Sequence, residues 1–105
     1  MIKKIKGTPK RPRLYIYRSN KHIYAQIIDD LTSHIIATSS SIAIDLKNHI
    51  KQTKNCETAK LIGKSIANKC IKKGILKVLL DRGSRKYHGR IKALADSARE
   101  NGLDF

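Results

Sequence analysis

Residues Val78 to Ala98 read VLLDRGSRKYHGRIKALADSA, an apolar run followed by a basic loop and an amphipathic repeat. The run Val78 to Leu80 is typical of a buried strand, and the apolar positions from Ile91 to Ala98 recur at helical spacing. Asp81 to Arg90 is therefore predicted to be a strand-to-helix loop. This order indicates an α/β sheet, in which ligands bind at the carboxyl ends of the strands.

The predicted loop carries side chains suited to nucleic acid. Its basic, aromatic and imidazole residues are Arg82, Arg85, Lys86, Arg90, Tyr87 and His88. The first turn of the next helix offers unpaired N–H groups to an anion, and Tyr87 is suited to stacking on a base or ribose. The pattern predicts a nucleic-acid-binding loop. The alternative is a solvated basic connector with a structural tyrosine.

Length and charge favour one domain with a polyanionic partner. The chain has 105 residues, enough for a single hydrophobic core. Lysine and arginine number 23 against 8 acidic residues, a formal charge of +15. This charge fits a phosphate backbone better than a small-molecule substrate. We expect no membrane partner and no signal peptide, because the basic start leads into Gly7, Thr8 and Pro9 and no long apolar span follows.

The cysteines predict free thiols in a reducing compartment. Cys56 and Cys70 lie in one predicted helix, about 21 Å apart by helix rise, which is too far for a disulfide. The four histidines are scattered and no CxxC pair occurs, so we expect neither a metal site nor a cofactor. Cys70 falls on the apolar stripe of that helix and is predicted to be a core residue.

Residues 1 to 12 are predicted to form a flexible basic arm, and residues 13 to 105 a single α/β RNA-binding domain. Lys10, Arg11 and Arg13 stand at the junction of the two, and no acidic residue precedes them. Such an arm is expected to become ordered against nucleic acid. The alternative is a tail that only adds solubility.

Alternating apolar and polar residues predict a β-hairpin, with strands at Leu14 to Tyr17 and Ile23 to Ile27. The face opposite the aliphatic residues, together with the polar turn, holds Tyr15, Tyr17, Arg18, Asn20, Lys21, His22, Tyr24 and Gln26. Aromatic, basic and amide groups together suit contact with RNA. For Tyr15 and Tyr17 we favour cross-strand packing, which stabilises hairpins.

The remaining elements complete an α/β domain. A turn at Asp29 to Ser33 leads to a third strand, Ile35 to Thr38. The strand is predicted to end at the serines, Ser39 to Ser41. Residues 42 to 55 have a weak pattern and are predicted to be a loop. The first helix runs from about Asn55 to Gly74, with an apolar stripe of Ala59, Ile62, Gly63, Ile66, Ala67, Cys70 and Ile71. Strand four, Lys77 to Leu80, is expected to lie parallel to a meander strand. The second helix, Arg90 to Asn101, buries Ile91, Leu94, Ala95 and Ala98.

The chain resembles the family of the eighteenth protein of the large ribosomal subunit, which binds 5S rRNA. The resemblance rests on RPRLYIYRSNKHIYAQIIDD (Arg11 to Asp30), on DRGSRKYHGRIKALADSARENGLDF (Asp81 to Phe105) and on the helix between them. The motifs DRG, YHGR and KALAD, in that order along the chain, make the resemblance to this family specific. The resemblance implies a mixed sheet with an antiparallel three-strand meander followed by β-α-β-α, similar to ribonuclease H-like architectures.

The resemblance also implies a function and partners. The family binds 5S rRNA, helps attach it to 23S rRNA in the central protuberance, and neighbours the large-subunit protein numbered five. The residues implied or predicted to contact RNA are Lys10, Arg11, Arg13, Arg18, Asn20, Lys21, His22, Tyr24, Arg82, Arg85, Lys86, Tyr87, His88 and Arg90. Lysine and isoleucine occur 16 times each and arginine 7 times. Such a composition is typical of a gene that is rich in A and T, because the codons of lysine and isoleucine are rich in these bases. This indicates a ribosome of the plastid stroma or of a bacterial cytoplasm.

Two other classes of function share some of these features. A metal-dependent nuclease on a ribonuclease H-like sheet needs several converging carboxylates, and Asp29, Asp30 and Asp81 lie near predicted strand ends without an evident further partner. A DNA-binding architectural protein shares the charge, but the sequence shows no recognition helix or minor-groove wedge. We therefore expect a structural RNA-binding protein and not an enzyme.

Overall fold

A computed structural model describes residues 6–18, 22–40, 56–83 and 89–105, and within these the chain forms a mixed sheet and two helices. The elements are β1 (Arg13–Arg18), β2 (Ile23–Asp29), β3 (His34–Ser40), α1 (Cys56–Lys72), β4 (Leu79–Asp81) and α2 (Gly89–Glu100). The strand order is β3-β2-β1-β4. The predicted α/β class is confirmed, whereas the ribonuclease H-like likeness stays a prediction. The loop predicted at residues 42 to 55, with Asn55 at the predicted start of the first helix, lies outside the described residues.

The antiparallel meander follows from the alternation of side chains. Leu14 and Ile16 are fully buried, while Tyr15 and Tyr17 lie on the opposite, partly open face. Tyr17 pairs with Tyr24 across the β1–β2 ladder. The prediction that the serines end β3 is wrong: Ser39 and Ser40 belong to the strand, because pairing with β2 outweighs the weak strand preference of serine.

The predicted parallel strand is confirmed. β4 lies parallel to β1, with Leu80 opposite Leu14 and Asp81 opposite Tyr15. It is displaced from the predicted range, since Lys77 forms only an isolated bridge with Asp104. β4 is also less buried than predicted: as an edge strand it leaves Leu79 and Leu80 partly exposed, and only Val78 before it is fully covered.

One core joins the helices to the sheet. The predicted stripes of α1 and α2 are buried at Ala59, Ile62, Gly63, Ile66, Ala67, Cys70, Ile91, Leu94, Ala95 and Ala98. Ile71 is the exception, because 40% of it is exposed. It lies against Gly102, where an added Cβ would be 2.9 Å from Ile71 Cδ1, and a glycine provides little cover.

The two helices approach each other closely at Gly63. A Cβ added there would lie 2.3 Å from the carbonyl oxygen of Leu94 and 2.9 Å from Ser97 Cβ. Nearby, the hydroxyl of Ser97 donates to the carbonyl of Lys60 at 2.6 Å. A side chain at residue 63 would force α1 and α2 apart, so glycine is required by the packing.

Cys70 is a free, buried thiol, as predicted for a small core residue. Burial raises its pKa to about 11, against a smaller opposing effect of Lys73. The thiolate is therefore scarce near neutral pH.

No helix within the described ranges has the length and apolar character needed to cross a membrane.

Residues from Gly7 to Pro12, part of the predicted arm, lie against the meander. The N–H of Gly7 donates to Asp30 Oδ2 at 2.6 Å, and the N–H of Asp30 donates to the carbonyl of Gly7 at 3.1 Å. Pro12 is fully buried. The part of the arm next to β1 is thus anchored to the end of β2.

We expect Ile66→Ala to lower the free energy of unfolding by about 2 to 5 kcal/mol, because it removes a fully buried side chain from the shared core. Denaturant unfolding followed by circular dichroism measures the loss. Leu61→Ala, on the same helix but 39% exposed, is the matched control and should cost much less. Equal losses in the two variants would contradict the described packing of α1.

Candidate nucleic-acid interface

The sheet topology brings two predicted binding segments to one end of the molecule. Because β1 and β4 are parallel neighbours, both strands run toward the same end of the sheet: Arg18 ends β1, and Arg82 follows Asp81, which lies opposite Tyr15. His22, which precedes β2, is at this end too. We call these residues, with Arg90, the hairpin end.

Arg90 reaches the hairpin end from the second helix. The carboxyl end of α2 is fastened near the start of β4, where the N–H of Val78 donates to the carbonyl of Asp104 at 3.0 Å. The first turn of α2, with Arg90, therefore lies toward the opposite end, beyond Asp81. Arg90 Nη1 is buried and has no hydrogen-bond partner among the described residues. A buried unpaired donor is costly, so the guanidinium of Arg90 has hydrogen-bonding capacity that the described residues do not use.

Six of the predicted contact residues lie outside the described ranges: Asn20, Lys21, Arg85, Lys86, Tyr87 and His88. Their neighbours in the chain, Arg18, His22, Gly83 and Gly89, are at the hairpin end. Contact of these six residues with RNA stays a prediction.

Lys10 and Arg11 are placed elsewhere. Both are exposed and belong to a turn before β1, in which the N–H of Arg11 donates to the carbonyl of Thr8 at 3.1 Å. The length of β1, five residue steps of about 3.3 Å, separates this turn from Arg18 by roughly 17 Å. Arg82 is nearer to the turn, because Asp81 lies opposite Tyr15 in the middle of β1. The described basic residues therefore form two groups, the Lys10–Arg11 turn before β1 and the hairpin end.

Arg13 is held by two carboxylates on the open face of the sheet. Its Nη2 and Nε donate to Asp30 at 3.0 and 3.1 Å, and its Nη1 donates to Asp81 at 2.9 Å. The hydrogen bond to Asp30 is the main cause that raises the pKa of Arg13, partly opposed by burial, with Asp81 adding to the rise. Its charge is therefore already balanced within the protein.

The sequence did not indicate this pairing. Arg13 was predicted as an RNA contact, and that contact remains untested. Its partners are 17 and 68 residues away in the chain, so only the pairing of β1 with β2 and β4 brings them together. The opposite charges at predicted strand ends were the one available signal.

Asp81 also shapes the start of the basic loop. Its Oδ1 accepts a hydrogen bond from the N–H of Gly83 at 2.9 Å, which closes a turn around Arg82. Gly83 has a φ of 63°, a left-handed conformation that favours glycine. The residues DRG thus form a defined turn that sets the direction in which Arg82 leaves the sheet.

Three tyrosines stack on the open face of the hairpin. The ring centroids of Tyr15 and Tyr17 are 5.2 Å apart, and those of Tyr17 and Tyr24 are 4.7 Å apart. The guanidinium carbon of Arg13 lies 5.4 Å from the centroid of Tyr15. The predicted cross-strand packing is confirmed for Tyr17, which stacks on Tyr24, whereas Tyr15 stacks on Tyr17 of its own strand. Tyr24 stands at the end of the stack, in the first residues of β2 after the hairpin turn.

The three carboxylates considered for the nuclease alternative have other partners in the structure. Asp29 is buried and accepts hydrogen bonds from the N–H of Leu31 at 3.0 Å and the hydroxyl of Thr32 at 2.9 Å. Asp30 and Asp81 both bind Arg13. Each carboxylate therefore stabilises a turn or a strand end.

The whole chain, residues 1–105, matches the family described as ribosomal L18 of archaea, bacteria, mitochondria and chloroplasts. This chain belongs to that family. The large ribosomal subunit protein uL18 of Thermotoga neapolitana is 55% identical over 103 residues, 98% of this chain and 84% of the relative. The uL18 protein of a Nostoc species is 54% identical over 102 residues, 97% of this chain and 85% of the relative.

Membership of the L18 family establishes the general function. The protein is a component of the large ribosomal subunit, a ribonucleoprotein that carries out translation, and it is not an enzyme. The nuclease and DNA-binding alternatives are therefore set aside. Its location is the ribosome, in a bacterial cytoplasm or a plastid, as bacterial and cyanobacterial relatives indicate.

We expect the tyrosine stack to be detectable by alkaline titration. Partial burial, followed by the neighbouring Tyr24 and Tyr15, raises the pKa of Tyr17. Folding therefore favours the neutral phenol, and the resulting stability is complete below about pH 10 and lost as the pH rises through the folded pKa. In an alkaline titration, the phenolate absorbance should show a transition at higher pH than that of a free tyrosine. This transition should be absent in Tyr17→Phe and present in Tyr15→Phe. A late transition that persists in Tyr17→Phe would contradict this assignment.

Proposed function

We propose that this L18 family member binds 5S rRNA through the hairpin end and helps attach it to 23S rRNA in the central protuberance, beside the large-subunit protein numbered five. The observation that carries the proposal is the parallel pairing of β4 with β1, which brings Arg82 and the start of α2 beside the strand that ends at Arg18. Sequence alone had placed them in two separate segments.

The chemistry of the hairpin end suits RNA. Guanidinium groups bind phosphates and also stack on bases, and Arg90 Nη1 is a donor without a partner among the described residues. The +15 charge of the chain supplies the long-range attraction. The tyrosine stack next to the turn supports a role for Tyr24 in contact with a base or ribose.

The two basic groups support attachment to a second RNA. Lys10 and Arg11 are exposed before the start of β1, about 17 Å from Arg18 at its other end. Basic side chains at separate positions on a protein can contact the phosphates of two different RNA segments. We therefore assign the hairpin end to 5S rRNA and the Lys10–Arg11 turn to 23S rRNA.

The deciding experiment compares binding of the purified protein to 5S rRNA and to duplex DNA of equal length, at one physiological salt concentration. The proposal requires markedly tighter binding to 5S rRNA. Equal affinities would mean that only the charge is recognised, which would contradict specific 5S rRNA binding.

We expect Arg90→Ala to weaken 5S rRNA binding and to reduce the slope of log affinity against log salt by about 0.7 to 0.9, the effect of one lost phosphate contact. Filter binding at several salt concentrations measures the slope. Arg99→Ala is the matched control, because Arg99 lies in the last turn of the same helix. If both variants kept the wild-type slope, Arg90 would not contact phosphate.

We expect the double variant Lys10→Ala with Arg11→Ala to retain most 5S rRNA affinity but to lose joining of 5S to 23S rRNA. Sedimentation of reconstituted particles measures whether 5S rRNA travels with 23S rRNA. Lys60→Ala with Lys64→Ala removes the same charge from exposed positions of α1 and should leave the joining unchanged. If the double variant lost 5S rRNA binding itself, the Lys10–Arg11 turn would have to be assigned to the 5S rRNA site.

A further inference from the structure

The cluster of Arg13, Asp30 and Asp81 connects the two basic groups of the protein. The side chains of the three residues are 20%, 24% and 18% exposed, so the ion pairs are mostly shielded from water. Shielded, charge-assisted hydrogen bonds are stronger and more directional than exposed ones. The cluster therefore holds its members in one arrangement.

Each carboxylate has a second role beyond Arg13. Asp81 accepts the N–H of Gly83 and so closes the turn that carries Arg82. Asp30 accepts the N–H of Gly7 at 2.6 Å, at the start of the segment that carries Lys10 and Arg11. Arg13 thus fixes two carboxylates, and each of these fixes the backbone next to one basic group.

Arg13 has few unused hydrogen-bond donors with which to contact RNA. Three of its five N–H groups are used within the cluster, and two carboxylates outweigh its single charge. A phosphate would be repelled by the net charge of the cluster. The geometry is that of an internal brace and not of a phosphate site.

We infer that Arg13, Asp30 and Asp81 form a positioning cluster, which orients Arg82 and the Lys10–Arg11 turn for RNA without contacting RNA itself. This inference rests on the proposed 5S rRNA binding. It assigns to Arg13 a different role from the direct contact that the resemblance implies. It also makes an unusual prediction, namely that removing negative charge from a protein will weaken its binding to RNA.

The test is the direction in which Asp81→Asn changes affinity for 5S rRNA. This variant raises the net charge by one unit, so electrostatics alone predicts tighter binding. Loss of the brace predicts weaker binding, by about tenfold, the equivalent of one charge-assisted hydrogen bond. Glu100→Gln, at an exposed position of α2, makes the same charge change and should bind as tightly as the wild type or slightly more tightly.

Arg13→Lys provides a second variant should Asp81→Asn fail to fold, as judged by its melting curve. Lysine keeps the charge but, as a point charge, cannot reproduce the planar fork that binds both carboxylates. We expect it to bind 5S rRNA about tenfold more weakly, with an unchanged salt slope. Affinity equal to or above wild type in the folded variants would overturn the inference. Failure of the wild type to bind 5S rRNA would instead overturn the proposed function.

Discussion

The parallel pairing of β4 with β1 is the contact on which the position of the basic loop depends. β4 has only three residues, so its place is set by what its side chains and its flanks meet. On the core face Leu80 lies next to Leu14, and on the open face Asp81 binds Arg13. The N–H of Leu79 donates to the carbonyl of Pro12 at 2.9 Å. Hydrophobic burial and a charge-assisted hydrogen bond thus hold the same short strand from its two faces.

Three of the acidic residues that the structure describes have structural roles at strand ends. Asp29 closes the β2–β3 turn, and Asp30 and Asp81 balance Arg13. A large net charge opposes compaction through self-repulsion, so internal ion pairs are most useful where distant segments must meet. Further carboxylates lie on the helices, as in the pair of Lys92 and Asp96 at 2.7 Å. The positive excess that remains suits a polyanionic ligand.

The same residues also show why a fold does not establish a function. Three aspartates near the strand ends of an α/β sheet are compatible with metal chemistry until their partners are known. Here an arginine lies between two of them, and family membership identifies a ribosomal protein. The helix layer positions Arg90, because the close approach at Gly63 and the core around Ile66 fix the axis of α2.

The sequence by itself determined the elements whose signal is periodic. Alternation predicted the hairpin, and helical spacing predicted the buried stripes of α1 and α2, because burial on one face imposes a period on the chain. The composition predicted a polyanionic partner, and the resemblance carried by DRG, YHGR and KALAD predicted an RNA-binding ribosomal protein. These features depend on neighbours within a few residues, so they can be read without coordinates.

Only the tertiary structure decided how distant segments combine. The extension of β3 through Ser39 and Ser40 depends on its pairing with β2, and the exposure of Ile71 depends on Gly102, 31 positions further along the chain. The placement of Arg82 beside β1, and the binding of Arg13 by Asp30 and Asp81, depend on strand order and register. Sequence periodicity shows which face of an element is buried, but it carries no information on which element lies beside it, and the ion pairs of Arg13 form between such neighbouring elements.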